Sequence, residues 1–262
     1  MDASASSARY DRAVLRVTVL ELPASWGDPE AALAVVSSEP ERGPPTDLVL
    51  LPEASLTGYV SEAGDFDLAD FAEPVDGPAA RAAAAVARRH RVNLVAPLVL
   101  AENDRRYNAM VAFDRDGEPI FTYRKRHPWF PETWAAAGEH AAEAVDIEGT
   151  RVTIAVCFDV HFLEEDAADV LDASDLLLFP SAWVEEEDSR PTMLAALARR
   201  HRIAIANANW GAGVVQIAGQ GGSSILDARG EVLASTSPRV IRADAIVVSG
   251  VEHHRGQARA PE

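Results

Sequence analysis

Asp47-Leu48-Val49-Leu50-Leu51-Pro52 returns later in the chain as Asp175-Leu176-Leu177-Leu178-Phe179-Pro180. Each is a short apolar run opened by an aspartate and closed by a proline. A segment that is apolar at every position has no polar face to give to water, so it reads as a strand buried on both sides, as in a parallel sheet. The likeness extends outward in the same order. Arg16-Val17-Thr18-Val19 is echoed by Arg151-Val152-Thr153-Ile154, and Arg89-His90-Arg91-Val92 by Arg200-His201-Arg202-Ile203. Phe113-Asp114-Arg115-Asp116-Gly117-Glu118 is echoed by Leu226-Asp227-Ala228-Arg229-Gly230-Glu231, each a hairpin turn with glycine at the tight position. Four matches in register indicate an internal duplication.

Periodicity fills in the two halves. Strands are expected over Val14–Leu22, Asp47–Leu51, Val92–Leu100, Tyr107–Phe113 and Pro119–Tyr123, then over Arg151–Phe158, Asp175–Phe179, Ile203–Ala208, Ser223–Asp227 and Glu231–Ser235. Helices are expected over Pro29–Ser38, Pro78–Arg91, Glu164–Ala173 and Arg190–Arg202, with Gly77-Pro78 and Arg190-Pro191 marking starts. Each half then carries one sheet with helices on one face. Burying the other face of both sheets requires packing them together, which predicts an α/β fold: a four-layer α-β-β-α sandwich of two pseudo-symmetric halves. With no Gly-, Ser- or Pro-rich linker, residues 1–262 read as a single domain with a core over 14–248 and tails at 1–12 and 250–262.

Composition narrows the partners. The formal net charge of -17 repels phosphate backbones and anionic lipid, so neither nucleic acid nor a membrane surface is expected as a partner. No apolar run approaches the ~20 residues that span a bilayer. The start, Met1 to Arg12, lacks the basic and apolar regions of a secretory signal, and a lone cysteine suits a reducing compartment, which points to the cytoplasm. Among 24 Lys plus Arg, Lys125 is the sole lysine. A coding bias toward arginine with one lysine surviving by chance would account for this; so would a site that needs a compact ammonium rather than a planar guanidinium.

In open α/β sheets functional groups collect beyond the carboxyl ends of strands. Glu53 follows Asp47–Pro52, Lys125 follows the fifth strand, and Cys157 closes Arg151–Val156. Taken singly, these are a loop carboxylate, a surface cation and a small core hydrophobe. Ser181 stands where the second half would repeat Glu53, so the fold does not require the carboxylate. Together the three supply what a thiol nucleophile needs: a base to take its proton and a cation to hold a developing oxyanion.

These residues carry a family resemblance. Leu51-Pro52-Glu53-Ala54-Ser55-Leu56-Thr57-Gly58-Tyr59 resembles the glutamate motif of the nitrilase superfamily of carbon–nitrogen hydrolases. Tyr123-Arg124-Lys125-Arg126-His127 resembles its lysine motif, and Val156-Cys157-Phe158-Asp159 its cysteine motif. Phe179-Pro180-Ser181-Ala182-Trp183 and Gly221-Gly222-Ser223-Ser224-Ile225 are similar to later segments, so the likeness spans about residues 14–248. The resemblance implies that Glu53 is the general base, that Cys157 forms a thioester, and that Lys125 and the Phe158 backbone N–H stabilise the oxyanion. It implies hydrolysis of a small-molecule amide or carbamoyl C–N bond, no cofactor, no metal, and a homo-oligomer. Glu132, in Pro128-Trp129-Phe130-Pro131-Glu132, fits the family's second glutamate in an amidase-like branch, with spacing one residue short. Tyr59, Trp129, Trp183 and Asn209 are expected to wall the pocket. Two departures stand out: His161 replaces a common arginine, and Leu163 a common proline.

Alternatives remain at this level. Nitrile hydrolysis or acyl transfer to an amine would use the same triad, although Phe158-Asp159 and the compact length favour amides. A papain-like or amidotransferase Cys–His pair would need a glycine-flanked strained elbow, which Ala155-Val156-Cys157-Phe158-Asp159 lacks. A zinc site finds no ligand set, since His253-His254 sit in a polar tail. A non-catalytic binding protein on this fold would have no reason to keep the only lysine and the only cysteine.

Overall fold

The computed structural model describes residues 13–238 and 240–249. The expected tails, with His253-His254, lie outside them. The elements run β1 (Val14–Leu20), α1 (Pro29–Ser38), β2 (Leu48–Leu50), α2 (Pro78–His90), β3 (Asn93–Glu102), β4 (Arg105–Phe113) and β5 (Pro119–Arg124). The second half follows as β6 (Val145–Ile147), β7 (Thr150–Ile154), α3 (Leu163–Asp172), β8 (Leu176–Ser181), α4 (Arg190–His201), β9 (Ala204–Asn209), β10 (Ser224–Leu226), β11 (Val232–Ser235) and β12 (Arg242–Val248).

Two six-stranded sheets form, in the orders β12-β1-β2-β3-β4-β5 and β11-β10-β9-β8-β7-β6. In each, three parallel strands (β1, β2, β3; β7, β8, β9) are followed by an antiparallel pair. Burial explains the repeated apolar runs. Leu48 and Leu50 face the core between the sheets, shared with Leu15, Val17, Leu176 and Leu178, whereas Val49 and Leu51 face α1 and α2 through Leu33, Val36, Ala83 and Ala87. The molecule is the expected α-β-β-α sandwich.

The duplication holds at the level of individual bonds. The Asp47 and Asp175 carboxylates accept from the backbone N–H of Arg16 and Arg151. The second helix of each half, α2 and α4, ends on a left-handed arginine, Arg91 (φ 57°) and Arg202 (φ 52°). Gly117 and Gly230 take φ 80° and 75° in the matching hairpins, where a side chain would strike the carbonyl oxygens of Ala84 and Ala195. That double constraint is why glycine recurs there.

Three expectations change. β7 stops at Ile154 instead of running to Phe158, because the chain turns into a 3-10 segment at Cys157–His161. β6 and β12 were not anticipated: β6 is only three residues, and β12 joins β1 from the far end of the sequence, Val14 facing Val248. Among the described residues, no helix is long and apolar enough to cross a membrane.

Asp47 ties the first half together, since its carboxylate takes Arg16 Nε at 2.8 Å and Arg115 Nη2 at 2.6 Å. Burial alone would raise its pKa, but the bonds to Arg16 and Arg115 outweigh it and hold it at about 2. A depressed carboxylate stabilises the fold above its unfolded pKa and ceases to do so as pH falls through the folded value. Asp47→Asn is therefore expected to lower unfolding stability by about 2 kcal/mol at neutral pH and by about half of that at pH 3, measurable by urea titration at both pH values. An unchanged penalty at pH 3 would contradict this electrostatic origin.

Candidate active site

Pro52 has no N–H to continue the β2 ladder, and the chain turns sharply after it. Ala54 takes φ 51°, and Gly58 donates its N–H to the Ala54 carbonyl at 2.7 Å. Gly58 itself sits at φ 91° against the carbonyl of Ser25, where no side chain fits. This knot buries Glu53 and brings Tyr59 back beside it.

Lys125 leaves β5 with its backbone N–H on the carbonyl of Asn108 in β4, at 2.8 Å. Its side chain is entirely buried. The ammonium lies 2.7 Å from Glu53 Oε1 and 2.6 Å from Glu132 Oε1. Asn108 Nδ2 donates to Glu53 Oε1 at 2.7 Å and to Glu132 Oε2 at 3.3 Å, and the Tyr59 hydroxyl donates to Glu132 at 2.8 Å. The Ala182 backbone N–H, just past β8, donates to Glu53 Oε2 at 2.9 Å. Glu132, one residue off the expected spacing, is thus an integral member of the cluster.

Cys157 heads the 3-10 segment with φ 48°. A left-handed backbone at a residue with a Cβ costs on the order of 1–2 kcal/mol and persists only when its surroundings impose it. Asp159 imposes it. Its Oδ2 accepts from the Val156 N–H at 3.0 Å and the Tyr123 hydroxyl at 2.9 Å, and its Oδ1 from the His127 N–H at 2.8 Å. One buried carboxylate so locks the cysteine turn to the lysine segment. The strained elbow is present without flanking glycines.

The electrostatics follow from burial and proximity. Burial pushes the Cys157 thiol well above its ordinary pKa, and Glu53 adds to this while Lys125 and the Ala182 N–H oppose it. The balance favours the neutral thiol. Burial pulls Lys125 down, but Glu53 and Glu132 outweigh it and leave the ammonium above its usual range. Burial raises Glu132, against the pull of Lys125. Burial also raises the Tyr59 phenol, with Glu53 and Glu132 acting in the same direction, so it serves as a donor.

Cys157 opens into a cavity of about 210 Å³ lined by Tyr59, Trp129, Phe158, His161, Ala182, Trp183, Val184 and Glu185. Three of the four expected wall residues, Tyr59, Trp129 and Trp183, are there. Asn209 is not; it lies behind the wall, where its Oδ1 accepts from the Trp183 N–H at 3.0 Å and the Ser181 hydroxyl at 3.0 Å. Asn108 and Asp159 were not anticipated as site residues, and Glu185 belongs to an acidic run expected to disfavour anionic substrates only if it reached the cavity mouth. Asn108 had a signal, a lone amide in an otherwise apolar stretch of β4. Among the described residues, no group of three or more His, Cys, Asp or Glu is arranged to hold a metal ion.

A sandwich of two duplicated sheets with a thiol turned into a cavity at the strand ends defines a nitrilase-type hydrolase fold. The carbon–nitrogen hydrolase family model matches residues 17–243; the chain belongs to that family. It is 26% identical over 227 residues to a 2-oxoglutaramate amidase of Bacillus subtilis strain 168, covering 83% of this chain and 85% of the relative. An (R)-stereoselective amidase of a Pseudomonas species is 26% identical over 190 residues, 72% of this chain and 68% of the relative. In fold the chain is similar to Saccharomyces cerevisiae Nit3, a member of branch 10 of the nitrilase superfamily, with TM-score 0.78, 20% identity and 90% of each chain covered.

Proposed function

We propose that this enzyme hydrolyses the C–N bond of a small linear amide or carbamoyl compound through a thioester on Cys157. The observation that carries the reading is the clasp of the sole lysine between two buried carboxylates beside the only thiol. Burying ions costs several kcal/mol each even when they are paired. The fold does not ask for this cluster, because the second half has Ser181 where the first has Glu53 and is equally well packed.

In the first step Glu53 takes the thiol proton as sulfur attacks the carbonyl carbon. The carbonyl π pair moves to oxygen, facing the Lys125 ammonium and the N–H of Phe158, at the head of a 3-10 turn whose first N–H groups have no partner within the turn. Collapse breaks the C–N bond, and the departing nitrogen takes the proton from Glu53, leaving a thioester. Water then adds with Glu53 as base, and the second collapse expels the sulfur, which recovers its proton. Glu132 holds the ammonium charged and in place, with Tyr59 and Asn108 holding Glu132. The cycle calls for no resident cofactor, and the assembly that performs it is taken to be a homo-oligomer.

A panel of small amides, ω-amides, carbamoyl compounds and nitriles, assayed for ammonia release with and without hydroxylamine, tests the reading. Amide turnover with a thioester mass adduct on the Cys157 peptide supports it; turnover of nitriles alone overturns it. Glu53→Gln keeps an acceptor for the Lys125 ammonium but removes the base. It is expected to lower kcat by about 10²–10⁴-fold, with the far-ultraviolet spectrum unchanged; retention of more than a tenth of the wild-type kcat would remove Glu53 from the base role.

A further inference from the structure

The cavity over Cys157 carries one carboxylate outside the catalytic cluster. Glu185 lines it together with the aromatic side chains of Trp129, Trp183 and Phe158, and no lysine or arginine lines it. In sequence, Glu185-Glu186-Glu187-Asp188 reads as a solvated acidic loop or, if it reaches the cavity mouth, as a run that disfavours anionic substrates. The structure separates its members: Glu186, Glu187 and Asp188 are exposed, whereas Glu185 is half-buried at the cavity wall.

Glu185 is also held. Three donors converge on its Oε2: the Ser189 N–H at 2.9 Å, the Ser189 hydroxyl at 2.7 Å and the Trp183 indole N–H at 3.0 Å. The two Ser189 bonds, then that of Trp183, keep the carboxyl below its ordinary pKa and therefore charged. Oε1 takes no hydrogen bond among the described residues. Trp183 thus does two things at once, fixing the carboxylate through its N–H and lining the cavity itself. An oriented carboxylate beside indole faces is the chemistry that recognises a cation. His161 shares the wall and lies close enough to act on Glu185. Arg190, a buried cation, does not line the cavity; its Nη2 is engaged by Asp188 and by the Gly221 carbonyl, both at 2.8 Å. The net charge of -17 adds a field that gathers cations and repels anions.

We infer that the amide substrate carries a cationic group, a primary ammonium or a guanidinium, lodged against Trp183 and Glu185, and that Glu185 selects it. This rests on the hydrolytic reading of the same cavity and names its substrate class. A cavity of about 210 Å³ holds a short chain, roughly seven waters at ~30 Å³ each.

Three amides of matched length separate the possibilities at pH 8: δ-aminovaleramide (cationic), hexanamide (neutral) and glutaramate (anionic). The expected order of kcat/KM is cationic over neutral by about tenfold or more, with the anion last. Glu185→Gln keeps an oxygen to accept from Ser189 and Trp183 and should cut the cationic-to-neutral ratio about tenfold. Binding of the same amides to Cys157→Ala, followed by tryptophan fluorescence, gives the same comparison without chemistry. A ratio unmoved by Glu185→Gln, or glutaramate as the best ligand, overturns the inference; the second result would point to Arg190 instead. Glu185-dependent binding of the cationic amide without ammonia release by the wild type would leave the cation site standing and sink the hydrolytic reading.

Discussion

Ammonia release is expected to fall by roughly 10⁵-fold or more in Cys157→Ala, since loss of a covalent nucleophile removes the pathway and leaves only binding and the oxyanion donors. The protein should nonetheless fold. The side chain is small, and the turn that carries it is set by Asp159 rather than by sulfur. Truncation of the buried thiol should cost roughly 1 kcal/mol, readable as a small shift in a urea midpoint. Cys157→Ser sharpens the point. A hydroxyl keeps the volume and the hydrogen-bonding capacity, but its proton is far harder for a carboxylate to remove. Serine restoring a tenth of the wild-type rate would mean that the thiol is not the nucleophile.

Lys125→Arg is expected to lower kcat/KM by about 10³-fold, the upper end of what one oxyanion donor contributes. The substitution preserves charge, so a purely electrostatic role would tolerate it. The geometry does not: the ammonium is entirely buried, with carboxylate oxygens at 2.7 and 2.6 Å. A guanidinium is wider and planar and cannot take that point-like position. Overpacking should also cost about 1–3 kcal/mol of stability. Lys125→Met serves as the comparison, because it leaves Glu53 and Glu132 without their cation, a loss of about 3–5 kcal/mol. Glu132 is already raised by burial and would rise further. A carboxyl whose folded pKa exceeds its unfolded value destabilises as pH climbs through that value, so Lys125→Met should be least impaired under mildly acidic conditions. Lys125→Arg with near-normal activity would place the oxyanion elsewhere.

Much of this was legible before any coordinates. The repeated Asp-led apolar runs fixed the two sheets because a strand buried on both faces has a distinctive composition, and all four helices begin within a residue of the expected positions. Glu53, Lys125 and Glu132 meet as anticipated because each follows a strand end or its loop. What escaped notice depends on contacts between distant residues. The left-handed turn at Cys157 is imposed by Tyr123 and His127 acting on Asp159, and no local residue type announces it. Asn209 looked like a wall residue because it ends β9, yet its amide is consumed by Ser181, Trp183 and the carbonyls of Gly219 and Gly221. Glu185 was submerged in an acidic run, and the bonds from Trp183 and Ser189 distinguish it from its neighbours.

The pairing of β1 with β12 has a consequence for how the molecule is made. In the second half the strand flanking β7 is its own hairpin neighbour, β6, so that sheet can close locally. In the first half the same place beside β1 is filled from the opposite end of the fold. During synthesis β1 must therefore wait, one edge bare, until the ribosome has passed Val248, and contacts of such long sequence separation are the slow ones to form. Nascent chains stalled short of that residue should be the species most in need of a chaperone.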